Sequence, residues 1–172
     1  MKILIASDIH GSFKYANLLA EVIKAEKPDK TVLLGDILYH GPRNDLPENY
    51  APKKVIALLS DPDIIAVKGN CDAEVDDMVL PFSLVNDTAV IKDADRTLHF
   101  CHGHREVVKA KKGDFVFSGH THVPKNETRD GVRFINPGSV SIPKENSHHG
   151  YVLYENGTVR FYDLVSGKEV KV

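Results

Sequence analysis

Short apolar runs, each ending in or followed by a glycine or a small polar residue, recur along the chain. In order they read KILIA, KTVLLG, IIAVKG, LHFCHG and DFVFSG. Runs of this length that are rich in β-branched and aromatic residues are typical of buried strands. Two apolar stripes with helical spacing lie between the first three runs: Phe13, Leu18, Leu19, Val22 and Ile23, then Val55, Ile56, Leu58 and Leu59. Strands that alternate with helices predict parallel pairing through βαβ crossovers.

The second half of the chain has a different pattern, in which strand-like runs are interrupted by turn dipeptides. These are Asn86-Asp87, Asp130-Gly131 and Asn156-Gly157. Such dipeptides favour tight turns, so we expect hairpins and antiparallel strands here. We find no internal repeat and no linker-like stretch, which predicts one mixed α/β domain over residues 1–172. The longest stretch without a pattern, residues 37–52, carries three prolines, and long loops in compact domains tend to be functional.

Composition and charge exclude several classes of function. The chain has 172 residues, 42% apolar and 27% charged, as expected for a folded globular protein. A net charge of -2 argues against nucleic-acid polymers and anionic membranes as partners. The apolar run before Asp8 is too short for a signal peptide, and no later run has the length of a membrane span. Two cysteines are too few for a disulfide framework, so we expect a cytoplasmic protein.

Polar residues that can bind metals follow the predicted strands. They are Asp8, His10, Asp36, Asn70, His102, His104, His120 and His122. Taken singly, each has a structural explanation: Asp8 could cap the following helix, for example, and Gly-Asp and Gly-Asn are common turn dipeptides. In open α/β sheets, however, the loops at the carboxyl ends of the strands gather into one crevice. The set as a whole therefore predicts a metal site.

The ligand types indicate which metals could bind. Carboxylate, amide oxygen and imidazole without thiolate suit borderline ions, with manganese favoured and iron, zinc, cobalt or nickel as alternatives. The candidates outnumber the ligands that one tetrahedral ion needs. Two ions about 3.5–4 Å apart that share a carboxylate could generate hydroxide and stabilise an in-line displacement at phosphorus.

These residues also carry a family resemblance. The series Asp8-Ile-His10, Gly35-Asp36, Gly69-Asn70-Cys71-Asp72, His102-Gly-His104 and Gly119-His120-Thr121-His122 resembles that of the calcineurin-like metallophosphoesterases. The loop GDILYHGPRNDLPENYAPKKV and the late segment NPGSVSIPK are similar to those of the small bacterial YfcE-type phosphodiesterases. The resemblance implies a sandwich of two mixed sheets flanked by helices, and hydrolysis of small phosphodiesters.

The resemblance further implies a role for each position. The first metal would be held by Asp8, His10 and His122, and the second by Asn70, His102 and His120. Asp36 would bridge both ions. His104 would lie just outside the ligand set, either as a substrate contact or as a packing histidine.

Cys71 departs from the family pattern. Most members have a histidine there, which together with the following aspartate, here Asp72, is thought to assist the leaving group. A cysteine has a pKa near 8.5, against 6.5 for histidine, and is shorter. We therefore interpret Cys71 as a vacant proton-donor position, which favours phosphodiesters with acidic leaving groups.

Arg43, in the loop after Asp36, is a candidate for binding phosphate, because a guanidinium pairs bidentately with phosphate oxygens; the alternative is a solvated loop arginine. The predicted catalytic set is therefore Asp36, Asn70, Asp72 and Arg43, with Arg43 and His104 as substrate contacts. Two other functions stay open: a phosphomonoesterase or nuclease on the same site, and a protein-interaction scaffold with a vestigial metal site. A homo-oligomer is also compatible with the sequence.

Overall fold

The structure is a computed structural model that describes residues 1–86, 88–105 and 108–172. Its helices are α1 (Phe13–Glu26), α2 (Pro52–Leu58) and α3 (Glu74–Val79). The first seven strands are β1 (Lys2–Ala6), β2 (Lys30–Leu33), β3 (Ile65–Val67), β4 (Leu84–Val85), β5 (Ala89–Asp93), β6 (Arg96–Cys101) and β7 (Phe115–Ser118). The remaining strands are β8 (Lys125–Arg129), β9 (Val132–Asn136), β10 (Gly150–Glu155), β11 (Thr158–Asp163) and β12 (Glu169–Val170).

The larger sheet has seven strands in the order β12-β11-β10-β1-β2-β3-β4. Strands β1 to β4 run parallel, as the alternation with helices predicted, with Ile5 opposite Val32 and Val32 opposite Ile65. Helix α1 begins at Phe13, where the side chain of Ser12 accepts a hydrogen bond from the Tyr15 amide. Strand β10 joins the sheet antiparallel to β1, and the predicted Asn-Gly hairpin connects it to β11.

The smaller sheet has five strands in the order β5-β6-β7-β9-β8. Strands β6, β7 and β9 are parallel, with antiparallel strands β5 and β8 at the edges. The Asp130-Gly131 turn joins β8 to β9 as predicted. Of the dipeptide at 86–87, the second residue lies outside the described residues. The hairpin in that region turns instead at Ala94 and Asp95, because β4 belongs to the larger sheet and β5 to the smaller one.

The two sheets pack face to face, and alternate residues of β1 divide the core between two layers. Ile3 and Ile5 pack with Phe100 and Phe117 of the smaller sheet, while Leu4 and Ala6 pack on the helical side. This alternation is the period of two expected for a strand buried on both faces. The predicted class, two mixed sheets flanked by helices, is confirmed. In the described part of the chain, we find no helix with the length and apolar character of a membrane span.

Candidate metal centre

Five of the seven predicted metal ligands have a left-handed backbone. The φ angles are 57° at Asp8, 48° at His10, 54° at Asp36, 69° at His120 and 62° at His122. This conformation is uncommon for residues other than glycine, and its strain is typical of functional sites. In each case a strand has ended and the chain turns sharply, so that the side chain points into the crevice beyond the strands.

Hydrogen bonds donated by backbone amides hold these strand ends together. The His10 amide donates to the Asp36 carbonyl at 2.9 Å, which joins the loops after β1 and β2. The His120 amide donates to Asp8 Oδ2 at 3.0 Å, which brings the loop after β7 to the same place. The two halves of the site therefore come from both sheets.

Asp72 is a structural part of this assembly. Its carboxylate accepts hydrogen bonds from the backbone amides of Asp36 at 2.7 Å, Ile37 at 2.8 Å and Gly69 at 2.7 Å. It therefore fastens the loop after β2 to the loop after β3. The role of Asp72 in leaving-group chemistry stays a prediction. In this structure both of its carboxylate oxygens accept hydrogen bonds from the backbone.

Three imidazole rings are oriented in the same way, with Nδ1 bonded to a backbone carbonyl and Nε2 turned into the site. His10 pairs with the carbonyl of Tyr39 at 2.8 Å, His102 with that of Leu34 at 2.6 Å, and His122 with that of Ile142 at 2.8 Å. A ring whose Nδ1–H is donated to a carbonyl presents the Nε2 lone pair to a metal. These backbone contacts therefore prepare all three rings for coordination.

The first group of ligands is compact and buried. Asp8 Oδ1 lies 3.2 Å from His122 Nε2 and 3.6 Å from His10 Nε2, and the two Nε2 atoms are 3.2 Å apart. Asp8 Oδ1 is buried, and no residue that the structure describes gives it a hydrogen bond. A buried carboxylate oxygen without a donor is costly unless a cation satisfies it. The three side chains thus fit a divalent ion.

A second group adjoins the first. His102 Nε2 lies 3.1 Å from Asn70 Oδ1 and 3.4 Å from Asp36 Oδ2, and the rings of His102 and His120 are 5.1 Å apart. Asp36 Oδ2 is also 3.7 Å from His10 Nε2 in the first group. The structure thus brings all seven predicted side chains together, with Asp36 between the two groups.

The charges of the site are strongly coupled. Burial alone would raise the pKa of Asp8, but the imidazoles of His10 and His122 outweigh it and hold that pKa well below its usual range. Burial lowers the pKa of His102, yet the carboxylates of Asp36 and Asp8 raise it to about 9. Without metal, His102 is therefore protonated at neutral pH, and a metal ion must displace that proton.

Cys71 lies beside the bridging carboxylate. Its amide donates to Asp36 Oδ1 at 2.8 Å, and its sulfur is within 4.8 Å of ligand atoms of His10 and Asp36. Burial, followed by the nearby Asp36 carboxylate, raises the pKa of the thiol to about 12. With no metal bound, Cys71 is therefore a neutral thiol, which is a poor nucleophile.

The predicted substrate contacts lie in two clefts. Arg43 lines a cavity of about 730 Å³ over the metal ligands, together with Tyr39 and Asn44 of the same loop. His104 has its ring 5.2 Å from that of His102 and lines a separate cleft of about 300 Å³. The Nδ1 atom of His104 is buried and has no hydrogen-bond partner among residues 1–86, 88–105 and 108–172.

The segment after β9 contacts the site through side chains that the sequence pattern did not indicate. Ser139 and Ser141 donate hydrogen bonds to the Asp8 carbonyl at 2.7 and 3.1 Å, which supports the strained backbone at that ligand. Lys144 lines the large cavity together with Arg43. The segment NPGSVSIPK was a signal for a structured loop, but nothing in it indicated which side chains would turn toward the site.

Comparison with known proteins agrees with this geometry. Residues 1–158 match the calcineurin-like phosphoesterase superfamily domain, and the chain belongs to that superfamily. It is 40% identical over 162 residues to the phosphodiesterase YfcE of Escherichia coli K12, covering 91% of this chain and 88% of YfcE. The solved structure of E. coli YfcE, a phosphoesterase, superposes with a TM-score of 0.95 at 37% identity, over 99% of this chain and 97% of YfcE.

More distant structures share the fold. An archaeal phosphodiesterase superposes with a TM-score of 0.70 at 24% identity, over 94% of this chain and 98% of its own. Vps29 of Entamoeba histolytica in complex with zinc superposes with a TM-score of 0.65 at 20% identity, over 99% of this chain and 96% of its own. The family predicted from the sequence motifs is confirmed.

Proposed function

We propose that this chain is a phosphodiesterase that uses two divalent metal ions to hydrolyse small phosphodiesters. The observation that carries the proposal is the position of Asp36, whose Oδ2 atom lies 3.7 Å from His10 Nε2 in one group and 3.4 Å from His102 Nε2 in the other. A carboxylate between two sets of ligands is what a pair of ions would share. The similarity of the chain to the phosphodiesterase YfcE of E. coli supports a phosphodiester as the substrate.

In this proposal Asp8, His10 and His122 bind one ion and Asn70, His102 and His120 bind the other. Manganese is favoured, with iron, zinc, cobalt or nickel as alternatives, because the ligands are carboxylate, amide and imidazole. Bound ions supply Lewis acidity at phosphorus and an activated water. The backbone carbonyls behind three of the rings keep the Nε2 atoms aimed at the centre, which limits reorganisation during turnover.

The remaining residues of the large cavity would select and orient the substrate. Arg43 would pair with the non-bridging phosphate oxygens, and Asp36 and Asn70 would hold the ions that the phosphate approaches. Cys71 is a neutral thiol where most family members have a histidine, so the site lacks an imidazole that could protonate the leaving group. Esters with acidic leaving groups should therefore react best. One catalytic domain would span residues 1–172 and act in the cytoplasm on a small substrate.

The test is hydrolysis by purified protein, stripped of metal and then reloaded with each of the five candidate ions. We expect bis(p-nitrophenyl) phosphate to be hydrolysed faster than p-nitrophenyl phosphate, with the activity lost on chelation. A higher kcat/KM for the monoester would favour a phosphomonoesterase on the same site. No hydrolysis of either ester with any of the ions would favour a protein-interaction scaffold that retains the fold alone.

A further inference from the structure

A second cleft, of about 300 Å³, adjoins the large cavity at Asn70. Its lining includes Lys68 at the end of β3, Asn86 at the end of β4, and His104 and Arg105 after β6. Asn70 and Asp72 line both this cleft and the large cavity. The two clefts therefore meet at a residue that belongs to the metal centre.

The chemistry of the smaller cleft is that of an anion site. Lys68 and Arg105 bring two positive charges, Asn86 brings an amide, and the buried Nδ1 atom of His104 has no partner within the described residues. Asp72 is the one carboxylate among the described lining residues, and three backbone amides donate to it, so the two cationic side chains outnumber the negative charge of the lining. Hydrogen bonds between cationic donors and a carboxylate or phosphate are among the stronger polar contacts in proteins.

The place of the cleft suits one arm of a substrate. Two ester arms diverge from the phosphorus of a diester, and with the phosphate at the metal centre they would point into different spaces. The large cavity, of about 730 Å³, has room for a bulky arm, whereas the smaller cleft has room for a short one. Since Asn70 lines both, an arm that ran past Asn70 would reach the smaller cleft.

On the basis of the function proposed above, we infer that the cleft formed by Lys68, Asn86, His104 and Arg105 is an anion subsite, and that the preferred substrates are phosphodiesters whose short arm ends in a carboxylate or a phosphate. The subsite selects substrates by charge, whereas the metal centre performs the reaction. A diester with two uncharged arms would be hydrolysed without this contribution to binding.

The experiment compares three diesters that share p-nitrophenol as the leaving group and differ in the other arm, which is ethyl, carboxyethyl or phosphoethyl. We expect kcat/KM of the wild type to be at least about tenfold higher for one anionic arm than for ethyl, mainly through KM. The arm with the larger preference identifies the anion. Lys68→Met and Arg105→Met, which remove charge and keep length, should each reduce the ratio of anionic to ethyl substrate.

Lys24→Met, which removes an exposed charge from the last turn of α1, is the matched control and should keep the wild-type ratio. If the wild type hydrolyses all three diesters with equal kcat/KM, or if the preference survives both subsite substitutions, the anion subsite is refuted while the phosphodiesterase stands. If the metal-loaded wild type hydrolyses none of the three, the proposed function itself has failed. Circular dichroism of the variants separates loss of preference from loss of fold.

Discussion

Gly69 is the position where the smallest change should disturb the metal centre most. A Cβ atom there would lie 2.1 Å from Asp36 Oδ1 and 2.5 Å from the Asp36 amide nitrogen. Cβ atoms essentially never approach other atoms closer than 3.0 Å, so Gly69→Ala must push the carboxylate away by roughly 1 Å. Metal–ligand distances tolerate only about 0.2 Å, and a displacement of about 1 Å can cost about 100-fold in rate.

We therefore expect Gly69→Ala to fold, to be destabilised by about 1–3 kcal/mol through overpacking, and to lose at least about 100-fold in kcat/KM on a diester. Gly113→Ala is the control: its Cβ would meet no atom within 4 Å, but its φ of 97° makes alanine strained. That variant should lose stability to a similar degree and keep its metals. Metal content, thermal unfolding and diester kinetics separate the two cases. Wild-type metal content and rate in Gly69→Ala would refute the close-approach argument.

Three further outcomes follow from the site. Arg43→Lys should already lower kcat/KM on a diester, because lysine cannot reproduce the planar fork of two donors; equal kinetics for wild type, Arg43→Lys and Arg43→Ala would make Arg43 a solvated residue. Cys71→Ser should keep its metals and most of its turnover, whereas Cys71→His should help poor leaving groups more than good ones; loss of metal in folded Cys71→Ser would contradict the neutral-thiol interpretation. The pKa of His102 is raised from 6.5 to about 9 in the metal-free protein, so its contribution to stability is complete below pH 6.5 and is lost as the pH rises through 9. Metal binding at pH 7.5 should accordingly release a proton, and calorimetry in buffers of different ionisation enthalpy that finds no release would contradict this.

Much of the metal centre could be predicted because its ligands follow strands that the hydrophobic pattern reveals. Asp8, Asp36 and Asn70 come directly after three parallel strands, and parallel strands end at one edge of a sheet. The convergence of His102 and His120 on the same place was harder to see, because it depends on the second sheet. Both histidines were candidates because they follow the strand-like runs LHFC and DFVFS, and the motif resemblance then assigned them to the second ion.

One turn and several tertiary contacts could not be predicted from the sequence pattern. Ala94 adopts a left-handed turn at φ 55°, yet alanine gives no turn signal, so the hairpin was expected at a more polar dipeptide. The contacts of Asp72 with three backbone amides depend on tertiary structure, as do the positions of Lys68 and Lys144 beside the clefts. Lysine on a surface is usually solvated, and only the fold shows which lysine faces a site.

The central claim is that Asp36 joins two metal ions, and metal stoichiometry tests it most directly. Wild type, Asp36→Asn, His122→Ala and Asp114→Asn should be loaded with manganese, desalted and analysed for metal per chain. Asp114 is the matched control, since it is a buried aspartate that is not among the candidate ligands. Its Oδ2 atom lies 3.3 Å from Nε2 of His99, within hydrogen-bond distance. We predict about two ions per chain for wild type and for Asp114→Asn, about one for His122→Ala, and fewer than about one for Asp36→Asn, with no turnover in the last. An Asp36→Asn protein that holds as much metal as the wild type and hydrolyses diesters at a similar rate would contradict the account.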